Sequence, residues 1–204
     1  MKVQNNSWCH STGFLRVAAS SNYLFNNLIP WIGQCIDIAP QLLDALRVSL
    51  EEIFLNIDHH SQVRVGCVMA EHLPAKREIL IAISDFGIGI PENVRRKLPL
   101  KDDKEALAIA CEEGFTTQSN VRNRGAGLPL LLRYVIGTNN GFVRIVSGRG
   151  MITASPSSKQ YNNNPKVTSR IMQWHYPGTL VFVKLDTEKF ARIIEDVEKE
   201  EFSW

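Results

Sequence analysis

The longest regular pattern in the chain runs from Pro40 to His60, where Leu42, Leu43, Leu46, Leu50, Ile53, Phe54 and Ile57 recur three and four residues apart. That spacing predicts an amphipathic helix with a wide apolar stripe. Glu52 and Asn56 are four apart and therefore neighbours on this helix, and His60 continues their line by one turn. Taken alone, such a line also fits a solvent-facing polar stripe. Ser20 to Cys35 carries Leu24, Leu28, Ile32 and Cys35 near the same period. Pro30 predicts a kink or an early stop there. Apolar or alternating runs at Phe14–Ala18, Val63–Ala70, Glu78–Ser84, Phe142–Ser147 and Thr179–Leu185 read as strands. A turn at His72–Lys76 makes the second and third of these an antiparallel hairpin. Short helices are expected over Lys104–Glu112 and Leu130–Ile136. Residues 1–12 read as loose, Ser155–Pro165 as a Ser/Asn-rich loop, and Phe190–Glu201 as a surface helix within an acidic C-terminal region, 186–204.

One strand stands apart because of how it ends. Ile79 to Pro91 reads Ile-Leu-Ile-Ala-Ile-Ser-Asp-Phe-Gly-Ile-Gly-Ile-Pro. An apolar run stops at Asp85, and Gly87 and Gly89 follow at positions that allow close backbone approach. A carboxylate delivered into a glycine-lined turn suits a ligand, although an ordinary strand exit through an Asx turn would have the same residues. A second glycine cluster, Arg124-Gly125-Ala126-Gly127-Leu128-Pro129, opens directly into an apolar helix. A turn of that kind offers free backbone N–H groups to an anion.

Composition narrows the class. At 204 residues, 44% hydrophobic and 22% charged, the chain reads as one soluble domain. The net charge is only +2, yet Gly114 to Leu185 contains no Asp or Glu while Arg122, Arg124, Arg133, Arg144 and Arg149 fall within it. That asymmetry fits a polyanionic ligand or an acidic partner, and equally a solvated face balanced by the acidic tail. Cys9, Cys35, Cys67 and Cys111 form no Cys-x-x-Cys pair, and neither a signal peptide nor an apolar run of bilayer length is seen, so a cytoplasmic location with reduced thiols is expected. The histidines lack zinc spacing. The P-loop pattern is missing, Pro91 and Glu92 follow Gly89 where a dinucleotide fold would continue its glycine motif, and nucleic-acid binding rests on the basic stretch alone.

In order and spacing, the Glu52/Asn56 helix, the Asp85-x-Gly87-x-Gly89 strand end and the Gly125-x-Gly127-Leu128 turn resemble the GHKL ATPase superfamily of gyrase-type topoisomerases, heat-shock chaperones, sensor histidine kinases and mismatch-repair ATPases. The resemblance spans about Phe14 to Leu185, and Gly178-Thr179 is similar to the family's closing Gly-Thr element. It implies an α+β two-layer sandwich (the Bergerat-type fold), with a mixed, mainly antiparallel sheet and helices on one face. It further implies ATP and Mg²⁺ as cofactors. Asp85 would read the adenine amine, with Gly87, Gly89, Ile90 and Thr179 beside it. Asn56 would coordinate Mg²⁺, a hard cation suited to an oxygen ligand. Glu52 would orient or deprotonate the attacking water or hydroxyl. Gly125, Ala126, Gly127 and Leu128 would cradle the phosphates, with Thr117, Arg122 and Arg124 adding contacts. Residues 91–124 correspond to an ATP lid with little apolar surface to hold it down, and 151–174 to an insertion. Pro129 stands where the family often has Gly, Ile57 where Ala is common, and Pro129 puts turnover in more doubt than binding. The chain is too short for a topoisomerase transducer domain and shows no dimerising phospho-acceptor helix upstream. It is therefore closest to the stand-alone anti-sigma or serine-kinase type, or to histidine-kinase catalytic domains. The expectation is a single-domain protein kinase or ATPase acting on a separate acceptor or regulatory partner, without a membrane. The alternative is an ATP-dependent binding switch with little hydrolysis, and a homodimer stays open.

Overall fold

Strand β3 (Glu78–Asp85) buries Ile79, Ile81 and Ile83 on one side and leaves Leu80 and Ala82 half-buried on the other, the period of two that a sheet covered on one face produces. The computed structural model describes residues 9–16, 20–60, 65–99, 102–112, 127–157 and 166–190. Within them β1 (Cys9–Arg16), β2 (Val65–Leu73), β3, β4 (Phe142–Ser155) and β5 (Lys166–Asp186) form a five-stranded sheet in the order β1-β2-β3-β5-β4. Every described pair is antiparallel. The result is an α+β fold with an antiparallel sheet.

The register builds apolar rows across the strands. Ala70, Ile81, Val183 and Val143 form one row, and Val68, Ile83, Val181 and Ile145 the next. All eight are buried. Each large aliphatic side chain so buried contributes about 1.5–3 kcal/mol relative to exposure. The opposite face carries Met69, Ala82, Phe182 and Arg144 in one row. There the Phe142 and Phe182 rings meet edge to face at 6.3 Å, and the Arg144 guanidinium lies 5.4 Å from the Phe142 centroid.

The covering layer is led by α3 (Pro40–His60), which buries Leu46, Leu50, Ile53 and Phe54, the stripe read from the sequence. The Tyr134 hydroxyl donates to the Leu42 carbonyl at 2.6 Å and ties the segment after α6 (Gly127–Leu132) to the start of α3. Ahead of α3, α1 (Ser20–Tyr23) passes through a wide π-type turn (Leu24–Leu28) into α2 (Ile29–Cys35) without stopping at Pro30. The wide turn lets Ile29 N–H reach the Leu24 carbonyl, and Pro30 falls in the first turn of α2, where proline is tolerated.

Four expectations change. The first strand begins at Cys9, inside the stretch expected to be loose. The segment from 91, expected to have little apolar surface to hold it down, opens on a helix instead: α4 (Gly89–Arg95) contains Pro91 within its first turn. With α5 (Asp103–Ala110), α4 buries Val94, Ala106 and Leu107, so the described part of 91–124 is well packed. The insertion 151–174 largely continues β4 and β5 as a two-stranded arm, pairing Met151 with Arg170 through Ser155 with Lys166. Its register shifts at Gly148 and Gly150, which pair with Tyr176 and Ile171, so residues 172–175 bulge from β5. Phe190, expected on a surface helix, is fully buried. The rest of that helix lies outside the described residues.

Candidate functional site

The rows of the helix-covered face end in a polar one. Two positions beyond Ile83, Val181 and Ile145 the alternation places Asp85 on β3, Thr179 on β5 and Ser147 on β4, and Thr179 pairs directly with Ser147. On β2 the partner of Asp85 is Gly66, which adds no side chain to the row. Asp85 is 6% exposed and Ser147 0%, whereas Thr179 is half-buried. A carboxylate and a hydroxyl buried at the end of three apolar strands need partners, and they have them. Asp85 Oδ1 accepts the Gly87 N–H at 2.8 Å, and the Thr179 backbone N–H also bonds this carboxylate. Burial pushes the Asp85 carboxyl above its ordinary value, against the opposing effect of these two N–H groups.

Backbone approach around Asp85 is very close. Gly178 has φ +80°, and a Cβ there would lie 2.6 Å from Asp85 Oδ1 and 2.7 Å from its carbonyl carbon. Gly89 has φ +79°, and its Cβ would lie 2.7 Å from Ser147 Oγ and 3.0 Å from the Gly178 oxygen. Both positions require glycine twice over, by dihedral and by space. Ser147 joins the pieces: its hydroxyl donates to the Gly178 carbonyl at 2.6 Å, accepts the Ile90 N–H at 2.9 Å and lies 3.2 Å from Thr179 Oγ1.

Asp85, Gly87, Gly89, Ile90 and Thr179 are thus brought together. Glu52 sits half-buried on α3, which packs against β3, α4 and α6, and Asn56 follows one turn later on the same helix. Gly127 and Leu128 are buried at the start of α6, and Pro129 falls in its first turn, where its missing N–H has no intrahelical acceptor to lose. The Asn56 side chain and Thr117, Arg122, Arg124, Gly125 and Ala126 lie outside the described residues.

No protein-family model matches the chain, and no curated protein matches it. Among solved structures, it is similar to the ATPase region of Saccharomyces cerevisiae topoisomerase II. The identity is 15%, the match covers 57% of this chain and 31% of that chain, and the TM-score is 0.30.

Sequence reading missed Ser147, and it named Gly178 only as part of the closing Gly-Thr element, without its close approach to Asp85. A signal for Ser147 was present: Val143, Ile145 and Ser147 repeat the inward pattern of Ile81, Ile83 and Asp85. On the opposite face the Tyr176 and Ser84 hydroxyls bond at 2.6 Å, above a small apolar cluster of Val146, Met151 and Met172. A separate acid, Asp103, anchors α5 to β4 by accepting the Arg149 N–H at 2.7 Å and pairing with the Arg95 guanidinium. Burial alone would raise its carboxyl, but these two donors outweigh that and hold it below the ordinary value. Among the described residues no group of three or more His, Cys, Asp or Glu could hold a metal ion, and no helix is long and apolar enough to cross a membrane.

Proposed function

We propose that this chain is a GHKL-type protein that binds ATP with Mg²⁺ and transfers or hydrolyses its terminal phosphate, acting on a separate partner protein. The observation that carries this reading is the buried Asp85 carboxylate, fixed by the Gly87 and Thr179 N–H groups in a cradle where no Cβ fits at Gly89 or Gly178. A charge buried at such cost, without an ion-pair partner among the described residues, is a binding-site candidate. Its fixed acceptor suits an amine on a flat heteroaromatic ring, which is the donor that adenine has and guanine lacks at that position. Among the described residues the site fits the base end of ATP.

The remaining roles follow the sequence motifs. Asn56 would supply one oxygen to Mg²⁺, a hard cation that prefers oxygen ligands. Glu52, one turn earlier on α3, holds the attacking water or hydroxyl or takes its proton. The Gly125–Leu128 turn receives the phosphates, with Thr117, Arg122 and Arg124 beside it. A second reading, an ATP-dependent binding switch with little hydrolysis, is favoured by Pro129, which removes an N–H donor from the start of α6.

Titration calorimetry of the full chain with ATP and GTP, with and without Mg²⁺, tests the binding step. Binding of ATP over GTP is expected, and Asp85→Asn should weaken ATP by roughly 1–3 kcal/mol. Equal binding of both nucleotides, or an unchanged Asp85→Asn, would refute the adenine assignment. Incubation with labelled ATP, Mg²⁺ and candidate proteins encoded beside it separates the two readings, since only the first moves the terminal phosphate to a partner or releases it as free phosphate.

A further inference from the structure

We infer that Ser147 is a positioning residue for base selectivity: it fixes the proton of the Thr179 hydroxyl so that Thr179 meets the ligand only as an acceptor. This rests on the nucleotide reading above and adds to it a residue and a mechanism. A serine hydroxyl has one proton and two lone pairs. The Gly178 carbonyl can only accept, so at 2.6 Å it takes the Ser147 proton. The Ile90 N–H can only donate, so at 2.9 Å it takes one Ser147 lone pair. The remaining lone pair faces Thr179 Oγ1 at 3.2 Å, and with no proton left on Ser147 the threonine is the donor.

The Thr179 proton is therefore turned inward, and its free lone pairs are what a ligand meets. Thr179 is half-buried and within reach, while Ser147 is fully buried and touches no ligand itself. Its neighbour in the row, Asp85, also accepts only when ionised. The two side chains together form an acceptor-only edge. A ring bearing an amine can satisfy that edge, whereas a ring with a carbonyl in the same place sets oxygen lone pairs against it. Without Ser147 the Thr179 hydroxyl would rotate and donate to such a carbonyl, and selectivity would fall.

The test compares ATP with ITP, which carries a carbonyl in place of the adenine amine, by titration calorimetry on the full chain. Wild type should prefer ATP. In Ser147→Ala the ATP-to-ITP affinity ratio should fall about three- to tenfold, the worth of one neutral hydrogen bond. Thr179→Val, which keeps the side-chain shape, should lower the ratio similarly and covers the case in which Ser147→Ala does not fold. A merely structural Ser147 would weaken both nucleotides equally and leave the ratio unchanged. That result, or an unchanged ratio in Thr179→Val, would overturn the inference while leaving ATP binding intact. Failure of wild type to bind either nucleotide would instead overturn the nucleotide reading, and this inference with it.

Discussion

The contact between Gly178 and Asp85 can be tested by adding a single methyl group. In Gly178→Ala the new Cβ would meet the Asp85 backbone oxygen, its carbonyl carbon at 2.7 Å and its Oδ1 at 2.6 Å. Two of these atoms are β3 backbone, where Asp85 pairs with Gly66 of β2, so they cannot swing aside. Holding alanine at φ +80° adds about 1–2 kcal/mol. Overpacking against fixed atoms adds about 1–3 kcal/mol. The sum, about 2–5 kcal/mol, corresponds to a fall in Tm of roughly 4–20 °C for a chain of this size. Gly137 is the internal control. A Cβ there meets nothing within 4 Å and its φ is not positive. Gly137→Ala should therefore gain about 0.4–1 kcal/mol through the unfolded chain, raising Tm by a few degrees (roughly 1–4 °C). Thermal unfolding followed by circular dichroism would read both variants. If Gly178→Ala melts within a degree or two of wild type, the close approach of β5 to the Asp85 carboxylate is wrong, and the cradle with it.

Three further outcomes are expected. Asp85 titrates above its ordinary 3.8 in the folded chain, so its burial costs stability above the folded pKa and costs nothing below 3.8. Asp85→Asn should accordingly melt higher than wild type at pH 7, with the gap closing as pH falls toward 4; a gap independent of pH would refute this. Asp103 runs the other way. Its folded pKa is depressed, so its contribution is present above 3.8 and is lost as pH falls through the folded value. Asp103→Asn should cost about 1–2 kcal/mol at pH 7 in chemical denaturation, and less in acid; equal costs at both pH values would count against the anchor. Glu52→Ala should retain ATP in calorimetry and lose turnover or transfer, whereas equal turnover would remove Glu52 from the chemistry.

The Asp85 end of the candidate site was legible because it closes a strong local pattern. The α3 stripe sets Glu52 and Asn56 one turn apart, and the Ile79–Ile83 run delivers Asp85. What was not legible depends on register. Ser147 carries no motif of its own in the sequence, and only its pairing with Thr179 gives it meaning. Helix α4 was missed because it is short and its Gly-Ile-Pro start carries no helical period, yet proline in a first turn forfeits only an N–H with no helical acceptor. The outer part of the β4–β5 pair was missed because the bulge at 172–175 breaks the alternation of β5, and the neighbouring Ser/Asn-rich stretch looks like loop throughout. The last residues of β4 are marked instead by burial: Ile152 and Ala154 are fully buried.

That outer pair carries a consequence for solubility. Beyond Leu180, β5 has left β3 behind, and among the described residues no strand covers its second edge. From Lys166 to Tyr176 this edge displays Val167, Ile171 and Trp174 in exposed positions. Uncovered strand edges with apolar side chains recruit other chains into growing sheets. Here Lys166, Arg170 and His175 are exposed between the apolar positions, and the bulge at 172–175 interrupts the flat ladder that an incoming strand would need. These are the devices by which natural edges resist self-association. The positive charges of this segment thus act as gatekeepers whether or not any anion binds them. Replacing Lys166 and Arg170 with threonine should leave Tm unchanged and raise self-association, which light scattering beside thermal unfolding would read.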